Sequence, residues 1–387
     1  MGESDLGLRK FLAPEIVFGI GARNLVANYI KNYGITKVFV VTDKNLYKTK
    51  WIEELENNLK KRDIEYTIFY NVSENPRSEE VMLGVESYIK NRCNGIVALG
   101  GGSPMDFAKG VGIVANNGGD ILDYEGVDKV IFPIPPLIFI PTTAGSSADV
   151  SQFSIINNSK RLVKIAIISK NIVPDIALID PETTITMDVN LTAYTGMDAM
   201  THAIEAFVSN ASSGITDIHA LKAISLVREY LPKVVREPNN LEYREKMMFA
   251  SMQAGLAFSN AILGAVHAMA HSLGGFKDLP HGKCNSMLLE HVINFNYDSA
   301  VDKYDMISNE LLLDNRGLSV IEKKNNLINK IIELKKEVGI TCKLGNEGIV
   351  ISDIPELSKK AIDDPCMITN PKKINLRDIE VIYEEAR

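Results

Sequence analysis

Two pairs of residues in this chain repeat one spacing. In "TGMDAMTHAIEAF" Asp198 and His202 are four apart, and in "GAVHAMAHSLGGFKDLPHG" His267 and His271 are four apart. Both pairs sit in runs of helical periodicity, where positions i and i+4 share a face, so each pair can aim at one point. His281 lies between Pro280 and Gly282 and reads as a loop residue that can turn back. Buried imidazoles and carboxylates among Ala, Met and Ile need mutual partners or a metal. Oxygen and imidazole donors suit Fe²⁺, Zn²⁺ or Mn²⁺, and the absence of thiolate argues against a soft-metal site. The bland alternative is a set of core histidines satisfied by local hydrogen bonds.

A second constellation has residue types that could hold a phosphate. "IVALGGGSPMDFAKG" reads as a strand, a glycine loop and a helix start. Gly100, Gly101 and Gly102 permit close approach to a ligand and positive φ. Ser103 reads as an N-cap, Pro104 as the first helical residue and Asp106 as the acid of a capping box. The free N–H groups and the dipole of such a helix end can hold a pyrophosphate, although a tight turn gives the same pattern. The acidic residue of the usual dinucleotide fingerprint follows its glycines, whereas here Asp43 precedes them. Asp43 either binds the adenosine ribose and repels a 2′-phosphate, favouring NAD(H), or is a turn residue. "FIPTTAGSSADVS" adds Thr142, Thr143, Ser146 and Ser147 at another strand end.

These loops must be carried by regular elements. "KVFVVTD", "IEYTIFY", "GIVALG", "LIFIPTT" and "IALID" read as strands separated by helical segments, which predicts a mostly parallel sheet covered on both faces. "RLVKIAIISK" alternates less cleanly and reads as an edge hairpin. From Leu191 the pattern is helical almost to the end, with Pro232 and Pro238 closing one helix and Gly339 another. The expected fold is an α/β N-terminal dinucleotide-binding domain, residues 1–187, and an all-α C-terminal metal-binding and catalytic domain, residues 188–387.

The 387 residues are 45% hydrophobic, ample for such a core, and the net charge of -7 comes with no basic block for nucleic acid or a membrane surface. No apolar run approaches the roughly 20 residues that cross a bilayer. "MGESDLGLRK" has no secretory h-region, so a cytoplasmic protein with four free thiols is expected.

Taken in order, "GGGSPMDFAKG", "PTTAG", "TGMDAMTHAIEAF", "GAVHAMAHSLGG" and "LPHG" resemble the iron-containing (group III) alcohol dehydrogenases, from "IVFGIGA" to "DPCMITNP". The resemblance implies a dehydroquinate synthase-like architecture with the active site in the cleft between two domains. It implies that Asp198, His202, His267 and His281 hold one divalent metal per chain, Fe²⁺ foremost. It places His271 beside the nicotinamide as a proton relay. Asn75, Lys164 and Leu178 join Asp43, Gly101, Gly102, Ser103, Asp106, Thr142, Thr143 and Ser147 as expected NAD(H) contacts. Phe153, Phe258 and Cys366 resemble substrate-pocket positions, and a homodimer or higher homo-oligomer is implied.

The chain departs from the family pattern in its "TTAGSSADVS" loop, where Asp149 replaces a glutamate and Ser146, Ser147 and Ala148 replace Thr, Gly and Ser. Lys277 stands where an uncharged residue is common; it answers an anionic substrate or is a surface lysine. The implied reaction is hydride transfer between nicotinamide and a short aldehyde. Candidates are acetaldehyde, butyraldehyde, lactaldehyde, a propanediol-type substrate and an anionic aldehyde such as sulfoacetaldehyde. The rival readings are a glycerol-dehydrogenase-like polyol dehydrogenase and a non-catalytic nucleotide- and metal-binding sensor.

Overall fold

A computed structural model describes residues 10–387, so most of the polar opening stretch read above for a signal peptide lies outside it. The first half contains β1 (Glu15–Phe18), α1 (Val26–Asn32), β2 (Lys37–Asp43), α2 (Lys50–Lys60), β3 (Glu65–Val72), α3 (Ser78–Lys90), β4 (Gly95–Gly100) and α4 (Gly102–Asn117). It continues with β5 (Gly126–Val127), β6 (Leu137–Pro141), β7 (Phe153–Asn158), β8 (Val163–Ile168) and β9 (Ile176–Ile179). Six strands form a parallel sheet in the order β1-β9-β6-β4-β2-β3.

The apolar runs of these strands are explained by burial on both faces. Phe39 and Val41 of β2, with Ile96 and Ala98 of β4, pack towards α3 and α4. Val38, Val40, Val97 and Leu99, one residue out of phase, pack towards α1 and α2 around Trp51 and Ile30. The "RLVKIAIISK" segment is not at the edge of this sheet. It supplies β8, which pairs antiparallel with β7 and parallel with β5 in a separate three-stranded sheet.

After β9 the chain is helical: α5 (Val189–Val208), α6 (Gly214–Arg236), α7 (Leu241–Ala261), α8 (Ala265–Lys277), α9 (His281–Asn296), α10 (Val301–Glu310), α11 (Val320–Glu337), α12 (Ile354–Ile362) and α13 (Leu376–Ala386). Pro232 does not close a helix; α6 runs through it to Arg236. Gly339 follows α11 with φ +82°, the left-handed stop expected of it. No single helix among the described residues is long and apolar enough to cross a membrane.

The chain passes from β2 outward to β3 and then returns to the other side of β2 to form β4. Strand order therefore reverses between β2 and β4, and a crevice opens at their carboxyl ends. Asp43 ends one of these strands and Gly100 the other.

Candidate metal centre and active site

A cleft of about 900 Å³ runs from that crevice to the helical half. Asp43, Asn75, Gly101, Gly102, Ser103 and Asp106 line one end. Thr142, Thr143 and Lys164 lie on its walls. Phe153, Phe258, His271 and the proposed metal ligands line the other end.

The glycine loop works by close approach. A Cβ on Gly100 would lie 2.6 Å from Pro104, and one on Gly102 would lie 2.9 Å from Ser146. None of the three glycines has positive φ, and the expected capping box is not formed. Gly101 is the N-cap, and the Ser103 hydroxyl donates to the carbonyl of Glu74. The helix end is thereby left without a side-chain cap, open to the cleft. Asp43 accepts hydrogen bonds at Oδ1 from the N–H groups of Asn45 (2.8 Å) and Leu46 (2.9 Å), so it is a turn residue and a cleft residue together. The Asn75 amide donates to Asp278 at 2.7 Å, joining the loop after β3 to the end of α8.

Asp198 and His202 project from one face of α5, His267 from α8, and His281 from the first position of α9. His281 is thus helical, with Pro280 before it as the N-cap. Gly282 is what lets α9 start there: a Cβ would sit 2.4 Å from the carbonyl oxygen of Tyr194 on α5. Each of the four side chains offers one donor atom, and all four atoms lie within 4.8 Å of one another.

Burial pushes the His202 imidazole down to about 3, and holds those of His267 and His281 well below the usual histidine value. All three are neutral donors at pH 7. Among the described residues, Nδ1 of His202 and of His281 are buried with no partner at hydrogen-bond geometry. A convergent set of three neutral imidazoles and a carboxylate fits a divalent ion of the Fe²⁺, Zn²⁺ or Mn²⁺ kind.

Two further groups complete the centre. Glu205, one turn beyond His202, lies 2.6 Å from Nδ1 of His267 and accepts from the N–H of Val266 at 2.7 Å. Gly264 makes room: a Cβ there would come within 2.8 Å of the Glu205 carboxylate. The carboxylate caps α8 and fixes the ring of His267, while burial pushes its pKa up to about 7. Asn285, one turn into α9 from His281, donates to Asp198 at 2.6 Å. Sequence reasoning missed both residues, although each stands at helical spacing from a proposed ligand.

His271 shares a helix with His267 and stacks on His281, with ring centroids 5.3 Å apart. Its Nδ1 meets Asp364 at 2.8 Å, and the other oxygen of Asp364 accepts from the N–H of Cys366 at 2.8 Å. Burial would raise the Asp364 carboxyl, but His271 beside it brings the net shift below the usual range. Asp364 was another residue not singled out from sequence.

Four expected site residues lie off the cleft. The hydroxyl of Ser147, in the left-handed region at φ 53°, donates to the carbonyl of Ser251 on α7 at 2.7 Å. Leu178 is fully enclosed in the sheet core facing α1 and α2. Cys366 is buried behind Asp364 rather than on the pocket wall. Lys277 is exposed at the end of α8, its ammonium 5.4 Å from the ring of Phe276, which is the surface reading.

Comparison with known proteins identifies the family. The family described as "Iron-containing alcohol dehydrogenase" matches residues 13–181, and "Fe-containing alcohol dehydrogenase family, C-terminal" matches residues 192–387. The chain is 37% identical to the NAD-dependent methanol dehydrogenase of Bacillus methanolicus, covering 97% of this chain and 99% of that one. It is 37% identical to the 1,3-propanediol dehydrogenase of Citrobacter freundii, covering 97% and 98% respectively. A crystal structure of a 1,3-propanediol oxidoreductase superposes with a TM-score of 0.94 at 36% identity, covering 98% of this chain and 100% of that one. With both halves matched and relatives aligned end to end, the chain belongs to the iron-containing alcohol dehydrogenase family.

Proposed function

We propose that this NAD(H)- and metal-dependent oxidoreductase interconverts a short, uncharged primary alcohol and its aldehyde. The observation that carries the reading is an aromatic wall beside the metal ligands. Phe258 stacks on His202 with centroids 4.3 Å apart, and Phe153 meets Phe258 edge-on at 5.4 Å. Such a wall favours a small apolar chain next to the centre and gives a sugar few polar partners. Lys277 is outside the cleft, so it offers nothing to an anionic aldehyde.

Asp198, His202, His267 and His281 hold the metal in this reading, with Glu205 fixing His267. Gly101, Gly102 and the start of α4 hold the pyrophosphate, and Asp43 holds the adenosine ribose. When bound, the metal supplies a Lewis acid for the carbonyl oxygen and NADH supplies the hydride. Asp364 accepts a hydrogen bond from Nδ1–H of His271, which orients Nε2 to take the alcohol proton in oxidation and, as the imidazolium, to give a proton to the alcohol oxygen in reduction. Phe153 and Phe258 keep water from the reacting carbon.

The test is NADH oxidation with acetaldehyde, butyraldehyde, lactaldehyde, 3-hydroxypropionaldehyde and sulfoacetaldehyde, after loading with Fe²⁺, Mn²⁺ or Zn²⁺ in turn. The expected result is the highest kcat/KM for a neutral aldehyde. A preference for sulfoacetaldehyde would overturn the uncharged-substrate reading.

A further inference from the structure

Lys109 is a charged residue that neither the metal centre nor the cofactor accounts for. It projects from α4 and is completely buried. Its ammonium donates to the backbone carbonyls of Ala148 (2.7 Å), Ser151 (2.8 Å) and Phe153 (2.8 Å). The Ser151 hydroxyl stands further off at 3.4 Å. An ammonium has three donors, and here all three are used on one stretch of main chain. A buried charge is costly, and a packed methionine would fill the space without that cost. What the ammonium adds is geometry: three directed bonds from one atom fix the path of residues 148–153.

That stretch is the second half of the hydroxyl-rich loop and the start of β7. On its far side it is tied to α7, through Ser147 to the carbonyl of Ser251 (2.7 Å) and through the N–H of Gln152 to the hydroxyl of Ser259 (3.1 Å). α7 also carries Phe258. One turn before Lys109, the carbonyl of Asp106 accepts from the Ser154 hydroxyl at 2.9 Å. The helix whose N-terminus faces the nucleotide end is therefore linked by bonds to the loop that ends in Phe153.

We propose that Lys109 is a positioning residue that sets the place of Phe153, and so the depth of the aldehyde pocket, relative to the nucleotide-binding helix. The proposal rests on the aldehyde-reductase reading above. Burial opposes the charged ammonium and brings its pKa down to about 8, while the carboxylates of Asp106 and Asp149 beside it favour the charge. It does not line the cleft.

The experiment compares wild type, K109M, F153L and the double variant as metal-loaded enzymes. NADH affinity is measured by fluorescence titration, and kcat and KM for straight-chain aldehydes of two, four and six carbons. K109M is expected to change the kcat/KM ratio between the shortest and longest aldehyde by about tenfold, the scale of methylene discrimination in an apolar pocket. The change is expected in KM, with NADH affinity kept. In the F153L background the same substitution should leave the ratio nearly unmoved, because its route through residue 153 is already altered. An equal loss for all chain lengths, or full additivity with F153L, overturns the proposal. If K109M does not fold, K109Q, which keeps two donors, is read in the same way, and an unchanged ratio there also overturns it. A wild-type enzyme inactive on every aldehyde overturns the functional reading and this proposal together, whereas an active one with an indifferent K109M overturns this proposal alone.

Discussion

The carboxylate of Glu205 and Nδ1 of His267 are 2.6 Å apart, and both side chains are buried. The contact turns His267 so that Nε2 lies 3.9 Å from Oδ1 of Asp198 and 3.0 Å from the Asn285 amide nitrogen. Glu205 lies one turn past His202, so a single face of α5 supplies two proposed ligands and the support of a third.

Replacing Glu205 with alanine is expected to weaken metal binding by roughly 10- to 100-fold, the usual effect of removing a carboxylate behind a ligating histidine. Metal per chain after dialysis against a chelator reads this directly. The H267A and H281A proteins should lose nearly all metal under the same conditions. A folded E205A protein with wild-type metal affinity removes Glu205 from the centre.

Asp43 combines a turn role with a charge facing the cleft. D43N keeps an oxygen for the N–H groups of Asn45 and Leu46 but removes the charge. We expect wild type to prefer NADH, and D43N to gain on NADPH by about tenfold in kcat/KM, since a 2′-phosphate no longer meets a carboxylate. Equal use of the two cofactors by wild type would discard this role.

His271 is assigned to proton transfer and not to metal binding, so its removal should separate the two properties. H271A is expected to lower kcat by about 10²-fold or more while metal content stays at the wild-type level. D364N, which changes the partner of Nδ1, should lower kcat in the same direction by a smaller factor. If H271A loses metal along with activity, His271 belongs to the ligand set.

Asp149 predicts a pH effect on stability. Burial pushes its carboxyl up to about 6 from an ordinary 3.8. The folded state then holds the proton more tightly than the unfolded chain, and the stability this contributes is present at pH 4 and lost as pH rises to about 6. Above that, folding carries a buried charge. D149N resembles the protonated acid at every pH, so its Tm relative to wild type should climb between pH 4 and pH 6 and level off beyond. Parallel Tm curves would mean that Asp149 titrates as an ordinary carboxylate in the fold.

Much of this was legible in the sequence because it rests on local chemistry. Strand periodicity, the Asp198/His202 and His267/His271 spacings and the glycine loop depend on neighbours within a few residues, and these give elements and facing side chains directly. Glu205 and Asn285 stood at readable spacings too, but a carboxylate or amide on a helix reveals no purpose until its partner arrives from another segment. Only the tertiary structure decided which groups meet. It put His281 on the first turn of α9 instead of a loop, because Gly282 lets that helix start against the backbone of Tyr194. It gave Asp364 to His271 across a long stretch of chain. It turned Ser147 towards α7 and left Lys277 outside, since side-chain direction follows from backbone dihedrals and packing rather than from residue type. The chain order lists the donors of this site; the close packing of α5, α8 and α9 brings their atoms within 4.8 Å of one another.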